Sequence, residues 1–232
     1  MRRGRNLLAL ELRLECRYGL HAVGVGLAAV WTLLLLAMPA EAARIVTPFV
    51  LFADSATVGV FLLAAMVLFE RDERVLPAML VTPVTSGEYL AAKVTALTGL
   101  ALLIAAPVAA AGGRLDVRPW PVLAGVTLTA ALLLACCLAL VARHHSVTSF
   151  LSVAPWPLIP LLGVPLARLA GLFDHPGAYL IPTVAAADLI ASGFDPAVGV
   201  PATASGYLVA CVAAAGILAA RRFSATMRAR GG

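Results

Sequence analysis

Residues 69–93 read FERDERVLPAMLVTPVTSGEYLAAK. Five of the first six positions after and including Phe69 are charged, in a chain that is 62% hydrophobic and only 12% charged. The apolar run that ends at Glu70 cannot continue, because Arg71, Asp72, Glu73 and Arg74 are too costly to place in hydrocarbon. Val75, Leu76, Met79 and Leu80 then recur at helical spacing, which predicts a short amphipathic helix. Pro77 sits in its first turn, where no backbone N–H is required. Thr82-Pro83 stops it, since the residue before a proline is pushed out of helical geometry. Thr85-Ser86-Gly87-Glu88 has the spacing of a capping box, so a new helix starts there. Lys93, the only lysine of the chain, lies one to two turns into that helix and is placed to snorkel back to the surface.

Outward from this corner the chain is a series of apolar runs. They cover 20–40, 45–69, 90–111, 120–142, 147–172 and 202–220, each long enough to cross a hydrocarbon core of ~30 Å as a helix. An ordinary soluble domain carries about 25% charged residues, twice the fraction here. The expected fold is an all-α integral membrane protein with six transmembrane helices in one domain, 20–222, followed by a basic cytoplasmic tail, 223–232. The fifth run holds Pro155, Pro157, Pro160 and Pro165, so a kinked or broken span is expected. Residues 173–201 are apolar but interrupted by Asp174, Asp188 and Asp195 and by Pro176, Pro182 and Pro196. They are read as an outer re-entrant or interfacial hairpin between spans five and six.

Arginine placement fixes the expected orientation. With six spans and an inner N-terminus, thirteen of the basic residues fall inside and four outside, namely Arg44, Arg114, Arg118 and Arg168. That asymmetry follows the positive-inside rule and places the protein in the plasma membrane with both termini cytoplasmic. Residues 1–19 form the approach. In LLALELRLECRY, at 7–18, apolar and charged residues alternate as in a strand, yet the residue types are helix formers. A helix is the better reading, lying at the interface with one leucine strip on lipid, another on the bundle, and its arginines toward phosphates. PAEA at 39–42 imitates a signal cleavage site, but the charged stretch before the leucine run argues for a retained span. The four cysteines have no metal or disulfide spacing and read as small packing residues.

The residues Glu70, Val75-Leu76, Ala78-Met79-Leu80, Thr82-Pro83 and Glu88-Tyr89-Leu90 through Lys93 resemble the intracellular signature of type-2 ABC exporter permeases. That resemblance implies six transmembrane helices behind an interfacial connecting helix. It makes 70–88 a coupling segment that docks on a separate ATPase subunit through Glu70, Asp72, Glu73, Val75, Leu76, Met79, Leu80, Thr82, Pro83, Glu88 and Lys93. Arg74-Val75 stands where the family has Gly-Thr, and Pro77 is an addition. The proline-rich fifth run and LIPTVAAADLIASGFD look most like the drug- and antibiotic-exporting subgroup, which includes fluoroquinolone-export-like permeases. No phosphate-binding GxxxxGK[ST] loop occurs, so the chain cradles no nucleotide itself; ATP and Mg belong to the partner ATPase. Six spans are half of the usual twelve, which implies a homodimer or a second permease subunit.

The expected function is therefore export of a small molecule by alternating access, with no catalytic residue and no metal in this chain. A non-transporting assembly or immunity subunit is the alternative. An intramembrane enzyme is the weaker one, because HExxH is absent and no histidine follows His175. The substrate path is expected at Asp54, the acid well inside a span, together with Pro155, Pro157, Pro160 and Asp188. Asp54 is expected near the outer end of span two, beside Ser55 or Arg44. His144 and His145 read as interface residues.

Overall fold

The computed structural model describes residues 2–64, 66–67, 85–141 and 152–231, and their regular structure is helical throughout. Eight α-helices follow in chain order: α1 (Arg2–Arg17), α2 (Leu20–Ala37), α3 (Ala40–Thr57), α4 (Ser86–Gly112), α5 (Pro119–Val141), α6 (Pro155–Leu169), α7 (Pro182–Ser192) and α8 (Ala202–Gly231). A π-helical turn, Val58–Leu62, continues α3, and a 3-10 turn, Pro176–Leu180, precedes α7. Among the described residues five helices are long and apolar enough to cross a membrane: Leu20–Ala37, Ala40–Leu62, Gly87–Gly112, Pro119–Val141 and Ala202–Phe223. Of the fifth expected span, the described part is α6, 15 residues or about 22 Å at 1.5 Å per residue. Residues 68–84 and 142–151 lie outside the described residues, and with them Glu70, Asp72, Glu73, Val75, Leu76, Met79, Leu80, Thr82, Pro83 and the histidine pair.

Local chemistry explains where the helices start and stop. Residues 2–17 form a helix despite their period-two pattern, because the side chains favour it. Gly19 separates α1 from α2 at φ +72°, a left-handed conformation that only glycine adopts without strain. The capping box at the head of α4 is formed as the spacing predicts: the Glu88 N–H donates to Thr85 Oγ1 at 3.2 Å, and the Thr85 N–H donates to Glu88 Oε2 at 2.9 Å. At the other end of α4, Arg114 and Leu115 take positive φ. Their N–H groups reach back to Ala111 O and Ala110 O, which satisfies two terminal carbonyls. The Arg114 side chain donates to Met38 O at 2.9 Å. It thus caps the C-terminus of α2, where positive charge is favoured.

Proline does not break α6. Pro155 and Pro157 fall in its first turn, where N–H groups have no intrahelical acceptor. Pro165 removes the donor that would serve Leu161 O, and the Thr183 hydroxyl of α7 supplies it at 2.6 Å. Thr183 is buried, so this hydroxyl has no water to turn to. Thr183→Val keeps the shape and leaves Leu161 O unpaired. The expected loss is about 1–3 kcal/mol, read as a lower midpoint in thermal unfolding, with Thr183→Ser near wild type.

The residues expected to form an outer hairpin give α7, which is buried along most of its length, from Thr183 to Ser192. It packs on α5, α6, α8 and α3. Gly125 permits the approach to α5: a Cβ there would stand 2.6 Å from Ile190 Cγ1 and 2.8 Å from Ala186 O. Charged groups separate to the two ends of the bundle. Arg44 meets Asp116 at 3.1 Å, and Arg114 meets α2, at the end that also holds Arg168. At the opposite end Tyr89 of α4 stacks on Phe223 of α8 at 5.5 Å, and Lys93 meets Glu11 of α1. The four arginines assigned outside and the N-terminal helix therefore lie at opposite ends.

Candidate functional site

Three polar features stand in the apolar bundle. The first is a knot around Arg168, in the last turn of α6. Its Nε donates to Asp188 Oδ2 at 3.1 Å, one terminal nitrogen to Asp174 Oδ1 at 2.6 Å, and the other to the Tyr179 hydroxyl at 3.2 Å. That hydroxyl donates in turn to Asp188 Oδ2 at 2.8 Å, and the guanidinium lies 4.9 Å from the Tyr179 ring centre. Asp188 is buried, and the planar fork of arginine suits three partners at once. The knot borders a cavity of about 1030 Å³ between α3, α6, α7 and the segment 194–199. Glu41, Arg44, Arg168, Asp174, Asp188 and Asp195 give its walls both signs of charge, and Phe49, Phe173 and Phe194 give aromatic surface.

The second feature is Asp54. It is buried, 14 residues into α3 or about 21 Å from its start, so it is deeper than the outer end of the span. Its partner is neither Ser55 nor Arg44. Trp31 Nε1 of α2 donates to Asp54 Oδ1 at 3.2 Å, while Ser55 donates to Leu51 O and Arg44 to Asp116. Just past Asp54 lies the π-turn, where Cys137 Sγ donates to Val60 O at 3.4 Å. The buried cysteine is thus more than packing: it donates to a carbonyl that also accepts the Leu63 N–H at the end of the turn.

The third feature is at the opposite end. Lys93 does not snorkel. Its side chain is 0% exposed, and Nζ donates to Glu11 Oε2 at 2.8 Å. Nζ also lies 5.0 Å from the Tyr89 ring centre. Glu11 and Glu15 are both buried, while Leu10 and Leu12 are 50% and 41% exposed. So α1 turns its glutamates, not a leucine strip, toward α4. Only Leu14 of the expected strip packs on the core.

The structure therefore separates the residues expected to act together. Asp188 lines the cavity, but Asp54, Pro157 and Pro160 are not among its described lining residues. Arg168 and Tyr179, which organise Asp188, were missed as site residues; an arginine followed at six and twenty positions by aspartates is a weak signal without the turn between them. The four cysteines are free.

A family model for the fluoroquinolones export permease protein family matches residues 2–230. The chain belongs to that family. Two fluoroquinolones export permease proteins of Mycobacterium tuberculosis, from strains CDC 1551 and H37Rv, are each 35% identical to this permease over 188 residues. The match covers 81% of this chain and 79% of theirs. No solved structure matches the permease. The match extends over all three polar features and over the undescribed corner at 68–84.

Proposed function

We propose that this permease is the membrane-spanning subunit of an ATP-driven exporter, moving a small molecule out of the cell by alternating access. The family match over residues 2–230 carries this reading. A cavity of about 1030 Å³ with both signs of charge and aromatic walls supports it, since pockets for drug-sized ligands run to roughly 300–1,000 Å³. A planar aromatic zwitterion of the fluoroquinolone kind suits those walls. The working unit contains a separate ATPase and a second six-span subunit, most simply another copy of this chain. Both termini face the cytoplasm, where α1, the head of α4 and the segment 70–88 meet the ATPase. Coupling falls on Leu76 and Leu80, because buried apolar anchors carry most interface energy and rim charges such as Glu70 and Asp72 carry less.

Inverted membrane vesicles holding the permease and its ATPase test this. A fluoroquinolone is expected to accumulate on ATP addition. Leu76→Ala/Leu80→Ala is expected to abolish at least nine-tenths of that uptake or to uncouple it from hydrolysis, with membrane insertion unchanged. Uptake without ATP, or full uptake by the double variant, would defeat the reading.

A further inference from the structure

Glu15 is not used by any step above, and its setting is unusual. Its side chain is 0% exposed. Both carboxylate oxygens lack a hydrogen-bond partner among the described residues. His21 Nε2 of α2 is 3.7 Å away, beyond hydrogen-bonding range. The other groups that bear on it are Glu11, one turn back on the same helix, and Lys93 of α4, which Glu11 already holds at 2.8 Å. Cys16, next to it, contacts His21 at 3.7 Å. A buried ionised carboxylate with no partner costs several kcal/mol, and such a group takes up a proton instead. The hinge for relieving that burial is also present. Only Tyr18 and Gly19 join α1 to α2, and Gly19 is left-handed.

We propose that Glu15 binds a proton while α1 is docked on α4 and releases it to solvent when α1 swings away, so that docking of this helix is proton-linked. No bond but the O–H changes: the proton on Glu15 moves to water, and the carboxylate then gains the hydration that burial denied it. Burial and the Glu11 charge push the docked group up to about 7, against an ordinary 4.5, with Lys93 opposing. The sign follows from linkage. The docked form holds the proton more tightly, so docking is strongest below pH 4.5 and weakens as pH rises toward 7. Above about 7 each pH unit removes no further stability from this group, because both forms are then ionised.

Lys93 reports the motion. It is the only lysine of the chain, and docked α1 covers it. The full-length permease and Glu15→Gln, both purified in detergent, are labelled with an amine-reactive reagent at each pH from 5 to 8.5. Lys93 modification is then counted by mass spectrometry. Comparison at equal pH removes the reagent's own pH dependence. The expected result is a wild-type to Gln ratio of no more than about four at pH 5. It rises several-fold per unit through pH 6–7 and levels off near pH 8. A flat ratio near one at every pH would overturn the proposal, since Glu15 would then not titrate in the docked form. A ratio below one throughout would overturn it too, because an ionised Glu15 would be holding α1 in place. Far-ultraviolet dichroism and monodisperse elution identify any Gln protein that fails to fold, and Glu15→Ala then replaces it with the same expectations.

Discussion

Lys93→Met is expected to destabilise the permease by about 3–5 kcal/mol, the loss found when one partner of a buried ion pair is removed. Lys93 and Glu11 are 0% and 3% exposed and 2.8 Å apart. Methionine fills much of the lysine volume, so the loss comes from withdrawing the cation from the buried Glu11 carboxylate. Glu11→Leu/Lys93→Met should recover most of it, since a matched apolar pair replaces a buried ion pair at little cost. The double-variant cycle, measured as unfolding in a graded denaturing detergent, separates the two terms. A single variant within 1 kcal/mol of wild type would mean that water reaches Glu11, and that α1 is loosely held.

Arg168→Gln should cost about 3 kcal/mol, toward the lower end, because the arginine is 17% exposed and Asp174 is 89% exposed. Asp174 simply returns to solvent. Asp188 cannot: it is 7% exposed and keeps only the Tyr179 hydroxyl. Asp188→Asn in the Arg168→Gln background should therefore restore stability, as a neutral amide needs no cation beside it. Arg168→Lys should restore it only in part, for an ammonium lacks the planar fork that reaches three groups. If Asp188→Asn rescues stability but not uptake, the pair also serves the substrate path. If it rescues neither, the Tyr179 ring contact at 4.9 Å is what matters.

These pairs show where sequence reasoning succeeds. Helix starts and stops were readable because they depend on neighbours: the capping box at Thr85 and Glu88 was legible, and so was the helical nature of residues 2–17. The segregation of Arg44, Arg114, Arg118 and Arg168 from the N-terminal helix followed from counting charges between apolar runs. Partners were a different matter. Glu11 and Lys93 are 82 positions apart, and Trp31 and Asp54 are 23 apart. Which face of a helix turns inward depends on how its neighbours pack, and no local pattern states it. For α1 the usual preference for an apolar inner face pointed to leucine, and the compensating lysine on another helix reversed it. The prolines of the fifth run were readable only in part: a turn at Ala154 interrupts the run before Pro155, as expected, while Pro160 and Pro165 lie inside α6. Proline removes a donor, and whether the helix survives depends on who replaces it. Thr183 does so from 22 positions away.

The π-turn at Val58–Leu62 holds one residue more than an α-turn would. An added residue advances the azimuth of everything beyond it by about 100°. The turn therefore acts as a vernier between two halves of one rod. The half before it is aimed so that Asp54 meets Trp31, and the half after it so that Leu63, Met66 and Val67 point inward. The two bearings are set independently. Removing one residue within 58–62 would restore a regular backbone ladder while rotating Leu63, Met66 and Val67 by more than a quarter of a full circle. It would be a mild lesion to the helix and a severe one to its aim.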